Sequence, residues 1–201
     1  MNLVRLALIA TLGLSPCLVA PEAAHAQPAE DPVKEVARQR FQAGVRAYDA
    51  GNYEEARTAF EQAYTLAKAP AILLNLGLSE TKTNRCVSGG NHLIQFLREY
   101  KEATPEQKTA ATAAIEDCKK KAALLTISVD APGAEVTIDG TSVGKSPIVD
   151  PYFVEPGQHV VIASLSGRTA TASVDAKKGQ TAVATVTVGA STPPPDRKSV
   201  V

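Results

Sequence analysis

The sequence predicts an α+β chain in two modules, α-helical hairpins with a capping helix first and a small antiparallel β-sandwich second. Three observations carry that expectation. Residues 28–123 hold 18 alanines and four valines, whereas residues 124–188 hold 11 valines and eight threonines. Alanine is the strongest helix former, and β-branched side chains favour the pleated surface of a strand. Helix-start signals recur through the first stretch, and glycine-bearing turn signals recur through the second. The 201 residues carry 21 Lys+Arg against 21 Asp+Glu, with 44% hydrophobic residues. That apolar fraction suffices for a packed core, and zero net charge excludes the basic face of a nucleic-acid binder. After the first 20 residues no apolar run approaches the roughly 20 needed to span a bilayer, so no membrane span is expected in the mature chain.

The first segment is expected to be an address. Arg5 precedes an apolar stretch, Leu6 to Leu14, and Ala24-His25-Ala26 supplies a small-x-small cleavage site. Residues 1–26 therefore read as a signal peptide, with the mature chain beginning at Gln27 and located in the periplasm or otherwise exported. Leu14-Ser15-Pro16-Cys17 has the outline of a lipoprotein box, but proline stands where a small flexible residue is needed. Export leaves two cysteines, Cys86 and Cys118, in an oxidising compartment. A disulfide between them is the expectation, and two buried thiols are the alternative. The mature histidines, His92 and His159, match no zinc-ligand spacing, so neither a metal nor a cofactor is expected.

In the helical half, 27–123, Asp31-Pro32 pairs an N-cap with proline at the first helical position. Asn52 with Glu55 predicts a capping box opening a second helix. Pro70 opens a third through Leu73, Leu74, Leu76 and Leu78, and the stretch Asn84 to Gly90 is expected to break it. Leu93, Ile94, Phe96, Leu97 and Tyr100 give the apolar face of a fourth helix. Thr104-Pro105-Glu106-Gln107 combines both start devices ahead of a fifth.

Gly44, Tyr48, Gly51, Tyr53, Ala56, Phe60 and Ala63 follow a small/large pattern that resembles a tetratricopeptide repeat, over about residues 37–100. Gly77 in Asn75-Leu76-Gly77 lies 33 residues after Gly44. The second copy departs from the first: Gly89 stands where Ala56 would recur, and Leu93 replaces Phe60. The resemblance implies a groove for an envelope protein or peptide, lined by Arg38, Phe41, Val45, Tyr48, Leu74, Asn75, Leu78 and Lys82. Phe41, Leu74 and Leu78 read equally well as core, and Asn75 as a group bonded to a neighbouring turn. Helix 104–122 would cap the stack, with Cys118 within reach of Cys86 in the second repeat's turn.

In the second half, Leu125–Val129 and Glu135–Ile138 read as strands, followed by Asp139-Gly140, a hairpin signal because both central positions tolerate positive φ. Gly144-Lys145-Ser146-Pro147, Glu155-Pro156-Gly157-Gln158 and Lys177-Lys178-Gly179-Gln180 mark turns. His159–Ser164, Thr169–Asp175 and Thr181–Val188 complete the sandwich. This string, notably Ala131-Pro132-Gly133-Ala134, Asp139-Gly140, Gly144-Lys145-Ser146-Pro147 and Glu155-Pro156-Gly157-Gln158-His159, resembles a PEGA domain over residues 124–188; Gly167-Arg168 departs from it where an aromatic commonly follows the glycine. Residues 189–201 form a Pro-rich tail expected to be disordered. The combination resembles exported envelope proteins of Gram-negative bacteria, myxobacterial ones especially. Some relatives continue into a membrane segment; here the chain stops at Val201, and no such tether is expected.

No nucleophile elbow, phosphate loop or metal cluster is present in the sequence. His92, after an expected Gly-Gly turn, is a possible base without a motif partner, and His159 reads as a marker of strand register. The expectation is a non-catalytic envelope scaffold with no nucleic-acid partner. The alternative is a cell-wall or polysaccharide-binding protein using the PEGA-like module. For that role the strand half offers Tyr152 and Phe153 as aromatics, and the chain has no Trp.

Overall fold

A computed structural model describes residues 31–189. The expected signal peptide, the Cys17 lipid box and the Pro-rich tail beyond Gly189 lie outside the described residues. Within them the chain runs α1 (Pro32–Asp49), α2 (Tyr53–Leu66), α3 (Pro70–Lys82), α4 (Cys86–Glu99), α5 (Pro105–Lys119), then seven strands. These are β1 (Ala123–Val129), β2 (Glu135–Ile138), β3 (Thr141–Lys145), β4 (Tyr152–Val154), β5 (Gly157–Leu165), β6 (Arg168–Ala176) and β7 (Thr181–Val186). No helix among the described residues is long and apolar enough to cross a membrane.

Local chemistry accounts for most helix starts. Asp31 accepts the Val33 amide with Pro32 at the first position, and Thr104 and Gln107 form a complete capping box. The box expected at Asn52 does not form: Asn52 makes no side-chain cap bond, and Glu55 makes no hydrogen bond. Neighbouring Glu54 instead pairs with Arg57 and Arg85. The break between α3 and α4 is also shorter than expected. Only residues 83–85 leave the helix, with Asn84 at φ 62°, and Gly89 and Gly90 sit inside α4. Two glycines weaken a helix locally, so tertiary contact must offset them.

That contact is a close approach on both sides of α4. A Cβ on Gly89 would come within 2.8 Å of Thr81 on α3, and one on Gly90 would run into the Phe153 ring from β4. The two hairpins use the same device at an interval of 33 residues. A Cβ on Gly44 would lie 2.6 Å from the Phe60 ring, and one on Gly77 2.8 Å from Leu93. Each glycine lets the second helix of its pair seat a large side chain directly on the first helix's backbone. This recurrence makes the five helices compatible with a tetratricopeptide-like stack. Cys86, at the start of α4, and Cys118, near the end of α5, form a disulfide with their Cα atoms 5.0 Å apart.

The strands form two sheets, β4-β1-β7 and β3-β2-β5-β6, with Leu125, Ile127, Val136, Val161, Ala163 and Val186 buried between them. Asp139 and Gly140 both take positive φ and join Ile138 to Thr141 as a tight hairpin. Every pairing is antiparallel except β1 with β7. The reason is where the 177–180 turn lands. Gly179 donates to the Ala122 carbonyl and Leu124 to the Gln180 carbonyl, so β7 begins beside the start of β1 and runs along it. β3 and β4 are strands the sequence pattern did not reveal. Gly144 and Lys145, expected in a turn, close β3, and the Ser146–Pro147 peptide is cis.

Helices and strands share a core. Leu124 from β1 and Phe153 from β4 are buried with Leu73, Leu93, Phe96, Ile115 and the disulfide. Asn91 on α4 fixes the approach: its side chain donates to the Phe153 carbonyl at 3.0 Å and accepts the Phe153 amide at 2.8 Å. It thereby satisfies both main-chain groups as a neighbouring strand would. The disulfide closes a 32-residue separation within this shared core, worth roughly 3–4 kcal/mol by loop-closure entropy. Urea denaturation should show Cys118→Ala less stable by about that amount, and reductant should bring the parent protein to the same level. A reduced parent protein with an unmoved midpoint would contradict this assignment.

Candidate functional site

The eight groove positions separate into two groups. α1 and α3 lie side by side, and between them opens a hollow of about 230 Å³ lined by Lys34, Ala37, Arg38, Phe41, Ala71 and Ile72. Arg38 and Phe41 are therefore at the hollow. The Phe41 ring packs tilted against Phe60, with centroids 5.5 Å apart, and Arg38 reaches back to Glu35 at 2.6 Å. Hydrogen bonds from Arg38 and Gln39 hold the Glu35 carboxyl below its ordinary range. Lys34 and Ile72 were absent from the groove reading. The i,i+4 spacing of Lys34 to Arg38 is the signal that finds Lys34; Ile72 is found only from the packing of α3 beside α1.

The other positions do different work. Leu74 is 6% exposed, in the shared core, with Leu78 packed against it. Asn75 donates to the Ala71 carbonyl one turn back at 2.8 Å, the intrahelical alternative already open from the sequence. Val45 and Tyr48 pack partly buried against the first hairpin's core, and Tyr48 meets Tyr53 edge to face at 5.1 Å. Lys82 stands over the Tyr53 ring at 5.8 Å. An apolar hollow rimmed by cations thus lies at the N-terminal half of α1, and a tyrosine–lysine cluster lies at its far end.

A second concavity lies where α4 and α5 meet the 149–152 segment. It is a cleft of about 560 Å³ with Ile94, Leu97, Ile115 and Leu124 on its floor and Arg98, Lys101 and Lys119 at its edge. Arg98 bonds Asp150 at 3.1 Å across it. Nearby, His92 Nδ1 lies 2.6 Å from Glu80, whose side chain is buried. His92 follows two helical glycines rather than the expected turn. No group placed to act as a nucleophile is bonded to it; the Ser88 hydroxyl donates instead to the Arg85 carbonyl. Among the described residues no three His, Cys, Asp or Glu converge as a metal site.

The sandwich presents no aromatic platform at the positions the glycan alternative relies on. Phe153 is 1% exposed, and the Tyr152 hydroxyl donates to the Val143 carbonyl at 2.9 Å. His159 is a buried fastener rather than a simple marker of register. Its Nδ1 lies 2.6 Å from Asp139 and its Nε2 2.6 Å from the Glu155 carbonyl, tying the β2–β3 hairpin to the chain entering β5. Both partners are acceptors, so the doubly protonated ring satisfies both contacts. Burial works against that charge, but the Asp139 carboxylate and the Glu155 carbonyl outweigh it and raise the His159 pKa above the ordinary histidine value. Asp139 is held low, first by the Val160 amide and then by His159.

The model of the PEGA domain family matches residues 122–190, the stretch from the end of the helical layer through β7. No curated protein matches the chain, and no solved structure does.

A raised histidine pKa adds stability that is complete below the unfolded-state value and is lost as pH rises through the folded-state value. Asp139, held low, contributes in the opposite sense, losing its contribution as pH falls through its own folded value. NMR titration should place the His159 midpoint above that of a free histidine. Denaturation midpoints should decline as pH rises from the free-histidine value through the raised folded-state value of His159 in the parent protein, and His159→Gln should remove that decline. A His159 midpoint below the free-histidine value would contradict the assignment.

Proposed function

We propose that this chain is a non-catalytic scaffold of the cell envelope, exported by cleavage after Ala26. In this reading the helical stack holds a protein partner on its α1/α3 face, and the PEGA domain docks elsewhere in the envelope. The observation that supports it most is the hollow between α1 and α3. Its walls, Ala37, Phe41, Ala71 and Ile72, are apolar, and Lys34 and Arg38 stand at its rim. Such a site suits an apolar anchor residue flanked by acidic ones, the pattern by which a short peptide or helix docks on a helical groove. The 33-residue recurrence of Gly44–Phe60 in Gly77–Leu93 supports the tetratricopeptide likeness behind this reading.

The test is site-specific photocrosslinking in intact cells. A photoreactive side chain at exposed Ala71 should capture a discrete envelope protein, and the charge reversals Lys34→Glu with Arg38→Glu, at the two cations of the hollow's rim, should reduce that capture at least ten-fold. Capture indifferent to both reversals would overturn this reading, and photoreactive side chains within residues 124–188 that are recovered with the wall fraction, while Ala71 captures nothing, would favour the polysaccharide alternative instead.

A further inference from the structure

A stack of helical hairpins needs a polar outer face at its ends, because each hairpin otherwise leaves one apolar side uncovered. The first hairpin here does not meet that requirement. Among the described residues six large hydrophobic side chains are exposed, and three of them, Val33 (50%), Val36 (43%) and Leu66 (41%), belong to α1 and α2. Val36 and Leu66 line one hollow of about 350 Å³ with Arg40 and Gln62 between them. This is the side of the hairpin turned away from α3, distinct from the Arg38–Phe41 hollow.

The pattern along that face matches itself. Gly44 meets Phe60 inside the hairpin, so the partly buried Ala43 and Ala59, each one residue earlier on antiparallel helices, lie within about 3 Å of one level toward the outer side. α1 therefore presents Val36, then Ala43, then Arg46; antiparallel α2 presents Leu66, Ala59 and Glu55 at corresponding levels. A two-fold axis parallel to the helices lays α1 of one copy along α2 of another, with Val36 on Leu66 and Ala43 on Ala59. The alanines permit close helix approach, and the same rotation brings Arg46 opposite Glu55. Arg46 and Glu55 are both exposed and have no ion-pair partner within the described chain. We infer that the outer α1/α2 face is covered by a second copy of this chain, in an isologous four-helix contact.

This inference is independent of the partner groove, since it uses the opposite side of α1. Sedimentation velocity of the mature chain across a hundred-fold concentration range should show a monomer–dimer equilibrium. Arg46→Glu and Glu55→Arg should each weaken the dimer about ten-fold or more by setting like charges together, and the double reversal should restore it. That rescue excludes misfolding as the cause, and circular dichroism of each variant checks it separately. Leu66→Asp should give a folded monomer. A protein that stays monomeric at every concentration would overturn the inference, as would a dimer unmoved by either reversal. Capture of a different partner by this face, with no self-association, would overturn it as well.

Discussion

The Phe153 ring, carried by a three-residue strand and seated on the backbone of α4, is the contact on which the arrangement of helices and sheets depends. Deep burial of a phenylalanine contributes on the order of 3–5 kcal/mol, judged by what its removal costs. Its insertion requires Gly90, because no Cβ fits beneath it. It also requires Asn91, because a strand entering a helical core brings main-chain polar groups that must find partners there. Leu124 follows it into the same core, and the Cys86–Cys118 bond holds α4 to α5 around both. Helices and sheets are thereby joined through a common interior rather than through a linker.

That joint bears directly on function. The groove proposed on the helical stack and the docking surface proposed on the sandwich could transmit position to one another only through a stiff joint. The contacts here are of the stiff kind: a buried ring, a bidentate amide, a disulfide and the Arg98–Asp150 bridge at the rim. The proposed scaffold would therefore hold its partner at a set orientation to the envelope component it docks on. His159, tying the β2–β3 hairpin to the start of β5, stiffens the far side of the sandwich in the same way.

Much of the fold was legible in the sequence because its signals are local. Asp31-Pro32, Pro70 and Thr104-Pro105 announce helices through capping chemistry confined to a few residues, and Asp139-Gly140 announces its hairpin through backbone freedom alone. The 33-residue interval from Gly44 to Gly77 carried over into matching close approaches. What was not legible depended on distant partners. Gly89-Gly90 reads as a helix break until Phe153, more than sixty residues later, supplies the contact that offsets it. β3 and β4 are short and bordered by glycine and proline, so their strand character comes from neighbours already in place. Asn52 resembles a cap, but Glu54, not Glu55, is the carboxylate drawn into the local ion pairs. Of the groove positions that the repeat resemblance implied, Arg38 and Phe41 lie at the α1/α3 hollow, whereas Leu74 and Leu78 face the core that Phe153 helps to fill.

The measurement that bears most directly on this account is differential scanning calorimetry of the mature chain. A shared core predicts one transition for helices and sheets together, with the calorimetric enthalpy equal to the van't Hoff enthalpy. Truncation of the ring in Phe153→Ala should then separate the transition into two. Two independent transitions in the parent protein, one helical and one β by circular dichroism, would contradict the claim that the two layers fold as one unit.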